Sequence, residues 1–393
     1  MYRFAPSPTG NMSVNDLRVA LLNSICAKQA GEPLIVRIED GDKAHTIEGK
    51  DQEILDMLEL FGISYAQLYY QSSNFKYHLQ FASTLLDTKK AFICFCPHEQ
   101  SACDGSCEHL SSEEILNTPK PFVIRMKKLD TTCDSFVIMR TDKYPTYTFA
   151  CACDDMLQGV TTIIREVEQE HNALKEEHIR KSIGYDQAIH YAHVPSLLCK
   201  EDESDVKKLL DQGFMPEAIV NYLVLLSNPT PAEIFTLKEA IAWFDIKNIS
   251  KSSAPFDIEK LRFINVEHIK RIPDMELSKR IGYACENIGK LAKLYTEEAS
   301  TTYEIKQKID ALFAKKEFYA AFEAQSKLLQ ELILNAPYFE TYDAFKTYLA
   351  EKSELEDEPF LKSLRFWLTG ADTGLDLALL YPLIKNYLKE IVR

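Results

Sequence analysis

Within its first forty residues the chain alternates strand, turn, helix and strand, and that order leaves few folds open. Residues 2–6 read as a strand and residues 6–10, Pro-Ser-Pro-Thr-Gly, as a turn. Residues 14–30 read as a helix, with Ser13 placed to cap it, Asp16 at the capping-box position and Gly31 as a stop. A second apolar strand spans 33–38 and ends in Glu39-Asp40. A helix follows at 47–61, carrying Ile54, Leu55, Met57, Leu58 and Leu60. Strands separated by helices predict a parallel sheet with crossover helices. Ligands of such sheets sit beyond the carboxyl ends of the strands, where the 6–10 turn and Glu39 fall.

A chain of 393 residues can build two or three domains with real cores, and its 46% hydrophobic and 26% charged content is that of a soluble globular protein. We find no apolar run near 18 residues and no basic-then-apolar leader, which predicts no membrane span, no signal peptide and a cytoplasmic location. In that compartment ten cysteines are thiols or metal ligands rather than disulfides. A net charge of -14 counts against broad nucleic-acid binding, although a local basic groove is compatible with an acidic whole. The chain is expected to act as a monomer.

Residues 91–135 interrupt the alternation with a cysteine-rich stretch of strands and loops. The sheet is expected to resume at 144–147 and again at 160–165. From about 205 the pattern turns helical, with amphipathic stretches at 304–333 and 375–392, and 194–205 is the most linker-like segment. Four regions follow: 1–90 with 136–195, the 91–135 insertion, 196–264 and 265–393.

The opening Arg3-Phe4-Ala5-Pro6-Ser7-Pro8-Thr9-Gly10 resembles the first strand and turn of the glutamyl-tRNA synthetases. Arg37-Ile38-Glu39-Asp40, Pro145-Thr146-Tyr147-Thr148-Phe149-Ala150-Cys151 and Ile163-Ile164-Arg165 match that family in the same order. The resemblance implies an α/β Rossmann-like catalytic domain of the class I synthetase type, a small zinc-binding insertion at the acceptor-end position, a stem-contact-like region and an all-α anticodon-binding-like domain. It implies a glutamate pocket in which Arg3 and Arg165 meet the carboxylates and Ala5, Ser7, Glu39, Tyr147 and Cys151 line the remainder. The chemistry suits the residue types. An arginine fork grips a planar carboxylate through two charge-assisted hydrogen bonds, and a glutamate suits a substrate ammonium. The alternative for Arg3 and Arg37 is ordinary ion pairing at strand ends.

The ATP side departs from the family. Where its turn continues into His-Ile-Gly-His, this chain has Ser13-Val14-Asn15-Asp16. That turn offers free backbone N–H groups and a positive helix end to phosphate, and its glycines allow close approach. Asn15 and Asp16 put side chains there, and Ser13 and Asp16 read as helix caps. The mobile Lys-Met-Ser-Lys-Ser-type loop belongs between His193-Val194-Pro195 and Gly213-Phe214-Met215-Pro216-Glu217-Ala218, but that interval is short and lacks the triplet. Lys200, Lys207 and Lys208 are the stand-ins on offer; Lys247 to Ser252 imitates the motif but falls after the flank. A third element, Gly-Glu-Asp-His after the pocket arginine, is Glu166-Val167-Glu168-Gln169 here. The resemblance therefore predicts a retained glutamate pocket with adenylation lost or strongly impaired. ATP and magnesium enter only in the alternative reading of an active glutamate–tRNA ligase. A non-catalytic interaction module is the third reading, and retained tRNA binding is left open.

Cys94-Phe95-Cys96 and Cys107-Glu108-His109 place four metal-ligand types in two i, i+2 pairs. On strands such pairs point to one face and close a tetrahedron, predicting one structural zinc held by Cys94, Cys96, Cys107 and His109, with Cys103 and His98 as substitutes. Leu364-Arg365-Phe366-Trp367-Leu368-Thr369-Gly370 resembles the family's closing helix.

Overall fold

The structure is a computed structural model that describes the chain apart from residues 97–102, 130–132, 201–202, 318–321, 356 and 372. It divides into two compact units, residues 1–207 with 223–256 and residues 208–222 with 257–393.

The first unit begins with β1 (Tyr2–Phe4), α1 (Val14–Ala30), β2 (Leu34–Ile38), α2 (Lys50–Leu60) and β3 (Gln67–Tyr70). α1 carries the predicted capping box. The Asp16 amide donates to Ser13 Oγ, the Asp16 carboxylate accepts from the Ser13 amide, and Gly31 closes the helix at a left-handed φ of 66°. Next come α3 (Phe75–Asp87), β4 (Ala91–Cys94), α4 (Ser112–Leu116), β5 (Val123–Met126) and β6 (Phe136–Met139). Then follow α5 (Tyr147–Leu157), β7 (Thr162–Glu166), α6 (Glu170–Ile183) and β8 (His190–Val194).

Five strands form a parallel sheet in the order β3-β2-β1-β7-β8. Strand order reverses direction between β1 and β7, so the crevice beyond their carboxyl ends is the ligand position of this architecture. All five residues of β2 are buried, as a doubly covered parallel strand requires. The insertion contributes a separate antiparallel sheet, β4-β5-β6.

Of the strand expected at 144–147, a single antiparallel bridge from Pro145 to Met139 forms, and Tyr147 already opens a helix. Residues 144–147 lead into α5, with Thr146 extended at its N-cap and Phe149, Ala150, Cys151, Ala152 and Cys153 buried along it. The β-forming residues Tyr147 and Thr148 yield to tertiary packing, because Phe149, Ala152 and Cys153 fill a core with Leu85, Met126 and Ile179.

The second unit is helical. The amphipathic stretch at 304–333 resolves into two helices, Thr302–Phe313 and Glu323–Asn335. The first stops at Ala314, which leaves helical geometry, and the Lys316 amine caps the Leu312 and Ile391 carbonyls. Helix Glu286–Leu294 lies against helix Asp274–Arg280 at Gly289, where an added Cβ would fall 1.8 Å from the Asp274 carbonyl oxygen. Trp367 is fully buried and donates its indole N–H to the Ser326 carbonyl at 2.8 Å.

Candidate active site

Strand ends and α5 bring the predicted pocket residues together. Ala5 and Ser7 follow β1, Glu39 follows β2, and Tyr147 opens α5; these four line a cavity of about 290 Å³ with Thr9, Asp16 and Gln169. Ser7, Thr9, Glu39 and Tyr147 also border a neighbouring cavity of about 570 Å³ that reaches Asp42, His45, Gln71 and Arg140.

Arg3 and Cys151 stand behind Glu39 rather than on the cavity wall. Arg3 is buried and spends its Nε and Nη2 on Asp155, at 3.0 and 3.5 Å. Arg37, fully buried, gives Nη1 to Asp155 at 2.7 Å and to Gln158 at 3.0 Å, and Nη2 to Glu39 Oε1 at 3.2 Å. Ion pairing is therefore the structural role of Arg37 and of most of the Arg3 fork. Asp155 is the residue that sequence reasoning missed, because it sits mid-helix in α5 with no motif to mark it. Its neighbour Asp154 accepts from Gln71, Asn74 and His78 at 2.8–3.0 Å.

This buried network sets the charge of the pocket. Burial raises the Glu39 carboxyl above its usual pKa despite Arg37 and Arg3. Its Oε1 is taken by Arg37 and by the Cys151 thiol at 3.1 Å, and no described residue donates to Oε2. An ammonium arriving in the cavity would meet the Oε2 of a buried carboxylate whose other oxygen is already paired with Arg37. Burial and the Glu39 charge push the Cys151 thiol up, so it stays neutral and serves as a donor.

Arg165, at the end of β7, is the other half. Its Nη1 donates to Glu176 at 2.9 Å and its guanidinium lies 4.9 Å over the Tyr191 ring. Tyr191 in turn donates to the second Glu176 oxygen at 3.0 Å. The Nε and Nη2 of Arg165 are buried with no hydrogen-bond partner. These two groups form one edge of the guanidinium, the edge that binds a carboxylate through two parallel bonds. An unmet buried donor costs about 1–3 kcal/mol, and Arg165 lines neither of the two cavities around Glu39. Glu176 and Tyr191 hold that edge in position, and neither was singled out by motif.

The opposite side of the crevice is occupied by the chain itself. The α1 N-terminus would be the phosphate seat, yet the Val14 amide donates to the Ser204 carbonyl at 2.8 Å and the Asp16 amide to Ser13 Oγ at 3.1 Å. Val206 N–H bonds the Met12 carbonyl at 3.1 Å, and Asn11 Nδ2 donates to Asp205 at 2.7 Å. Asn15 is held through the Leu197 amide, which donates to its Oδ1 at 2.8 Å. Residues 204–206 are thus stitched across residues 11–14. Glu168 accepts from Ser196 Oγ at 2.9 Å. Lys200 and Lys207, the stand-ins for the missing loop, are exposed and paired with Glu203 and Glu53, at 3.3 and 3.9 Å. Lys247 and Lys251 lie exposed on a surface turn.

Acidic crowding appears at the same end. Burial, then Asp16 and Glu168, push the Glu166 carboxyl up to about 7 against the pull of Arg18. A carboxyl raised in the folded state favours folding below its unfolded pKa and loses that contribution as pH rises from about 4.3 through about 7. Glu166→Gln is therefore expected to raise the melting temperature at pH 8 and to leave it unchanged or lower at pH 4; the same shift at both pH values would refute the electrostatic account.

The insertion gathers Cys94, Cys96, Cys103 and Cys107, with sulfurs all within 4.8 Å of one another. His109 is not in this group. Residues Ser106–His109 form a 3-10 turn rather than a strand, so Cys107 points inward while His109 is exposed. His98 lies outside the described residues. Cys96 stands 3.7 Å from Cys103 and 3.8 Å from Cys107. A zinc tetrahedron with bonds of about 2.3 Å has sulfur–sulfur edges of about 3.8 Å, so the cluster can accept a zinc ion.

Comparison with known proteins decides the family. Residues 1–263 match the model for the catalytic domain of class I tRNA synthetases of the E and Q type. Over the full lengths of both chains, the protein is 48% identical to a glutamate–tRNA ligase 1 of Campylobacter jejuni. The chain belongs to the glutamyl-tRNA synthetase family. A family member named glutamate–tRNA ligase 1 from a Nitratiruptor species is 46% identical, again over the whole of both chains. These alignments run over 432 positions against 393 residues here, so the relatives carry segments this chain lacks. In fold, the protein is similar to a crystallised glutamate tRNA ligase of Elizabethkingia meningosepticum, with a TM-score of 0.80 at 23% identity over all of this chain and 98% of that one. Among the described residues no helix is long and apolar enough to cross a membrane.

Proposed function

We propose that this family member binds glutamate in its retained pocket and does not adenylate it efficiently. The observation that carries the reading is the contrast across the crevice. Arg165 keeps a buried guanidinium edge without a hydrogen-bond partner, while the α1 N-terminus is filled by Ser13, Asp16 and the Ser204 carbonyl. Arg165 takes one ligand carboxylate, and Glu39 Oε2 takes the ammonium. Ala5, Ser7 and Tyr147 shape the wall, with Arg3 and Cys151 fixing Glu39 from behind. On the other side a triphosphate would have to displace Ser204 and approach Asp16, a carboxylate, at the helix end. In addition, Cys94, Cys96, Cys103 and Cys107 hold one structural zinc in the insertion.

A second reading has its own support. Full-length identity of 48% to a named glutamate–tRNA ligase favours an active enzyme using ATP, magnesium, glutamate and tRNA through a rearranged nucleotide site. One paired measurement separates the two. Calorimetry is expected to show glutamate binding that Arg165→Ala removes, while glutamate-dependent pyrophosphate exchange, run with tRNA present, stays at the no-enzyme level. Exchange clearly above that level would transfer the assignment to the ligase. No heat and no glutamate-induced rise in melting temperature would leave a non-catalytic interaction module.

A further inference from the structure

Outside the crevice, the chain builds a second cavity whose charge runs against its composition. It measures about 480 Å³ and lies where the turn into β4, the end of β5 and α6 meet. Lys89, Lys90, Lys127, Lys128 and Lys181 line it, with Glu177 as the one carboxylate among the described residues of its wall. It shares no lining residue with the two cavities around Glu39.

The backbone forces these lysines together. Ala91 pairs with Met126 in the antiparallel ladder, so Lys90 and Lys127 sit opposite one another at its end, and the Lys127 amide donates to the Lys90 carbonyl at 3.0 Å. Like charges placed opposite across strands are destabilising unless something offsets them. Three of the five have partners: Lys127 pairs with Glu108 at 3.2 Å, Lys128 with Asp134 at 3.1 Å and Lys181 with Glu177 at 2.6 Å. Among the described residues no carboxylate pairs with Lys89 or Lys90. Lys89 closes α3 at a left-handed φ of 55°, with the Lys89 amide donating to the Leu86 carbonyl at 3.0 Å and the Lys90 amide to the Leu85 carbonyl at 2.8 Å. A chain of net charge -14 thus concentrates ammonium groups in one concave site, where field lines focus on a small volume.

We propose that this cleft binds a chain of phosphate groups. Lysine ammoniums are compact point charges with three donors each, suited to phosphate oxygens presented in several orientations. Among the described lining residues the one aromatic ring is His178, whose Nε2 is engaged with the Lys127 carbonyl at 3.1 Å, so recognition rests on the lysines and phosphate rather than on a stacking platform. A free polyphosphate and the backbone of an RNA both supply that chemistry.

The test is lysine footprinting on the whole protein, with acetic anhydride labelling read by peptide mass spectrometry. Sodium tripolyphosphate at 1 mM is expected to slow acylation of Lys90 and Lys128 about fivefold or more and to leave Lys352, far along the chain, unchanged. A short RNA duplex at equal phosphate concentration forms the second arm. Protection by tripolyphosphate identifies a free-phosphate site; protection by the duplex alone identifies an RNA backbone site. Protection by neither, or equal protection by sodium sulfate at matched ionic strength, overturns the proposal. Lys90→Glu with Lys128→Glu is expected to weaken the protecting ligand's binding about tenfold or more in calorimetry, at an unchanged melting temperature. If that variant does not fold, the wild-type footprint decides alone.

Discussion

Asp155→Ala is expected to destabilise the first unit by about 3–5 kcal/mol, a large share of the about 5–15 kcal/mol that holds a folded domain together. Asp155 is fully buried and accepts from two arginines that are themselves buried, Arg3 and Arg37. Removing it takes from Arg3 the carboxylate it pairs with and leaves Arg37 with Glu39 and Gln158, in a low-dielectric core where Arg37 Nε is already without a hydrogen bond. The acid limb of the stability curve should change too. Burial would raise the Asp155 carboxyl, but Arg3 and Arg37 outweigh it and hold the pKa at about 2. A carboxyl depressed in the folded state contributes stability above its unfolded pKa, about 3.9, and loses it as pH falls towards 2. Chemical denaturation from pH 7 down to pH 2.5 measures both effects. A loss under about 1 kcal/mol at pH 7 would mean that water or rearrangement compensates the arginines.

The network around Asp155 shows where sequence reasoning reaches and where it stops. β1, α1 and β2 were legible because their signals are local: a proline turn, a serine cap with Asp16 at N3, a glycine stop. The pocket residues Ala5, Ser7, Glu39 and Tyr147 were legible through resemblance, and the structure sets them on one cavity. What decides the behaviour of Arg3 lies 152 residues away in Asp155, a separation that no local pattern encodes. The same holds for Ser204, whose carbonyl reaches the α1 N-terminus from a segment of no recognisable motif. Tyr147 illustrates the opposite failure: the last residue of a β-prone tetrapeptide is drawn into a helix by the packing of Phe149 to Cys153.

These long-range contacts also set the two sides of the crevice apart. Glu39 and Arg37 are bound into a buried ionic network, where a single substitution strands a charge. Arg165 is tied in through Glu176 and Tyr191. Ser13, Asn15 and Asp16 are half-buried residues at a helix end, where caps exchange at about 1 kcal/mol. The α1 N-terminal side is therefore the side on which the fold tolerates substitution.

Metal analysis separates the two readings of the insertion. The purified protein is expected to carry about one zinc per chain, and Cys103→Ser is expected to lose it while His109→Ala retains it. A strand geometry at 107–109 would have put His109 beside Cys107, but the 3-10 turn advances about 120° per residue and carries His109 outward. Cys103 instead comes within 3.7 Å of Cys96 and completes the set. Phe92, Cys94, Cys107 and Val123 form the small core that the cluster closes, too few buried residues to stand firmly alone. Metal loss should therefore also expose this insertion to proteolysis while the parallel sheet keeps its melting transition. Retention of zinc by Cys103→Ser together with its loss in His109→Ala would restore the Cys3His site that spacing alone suggested.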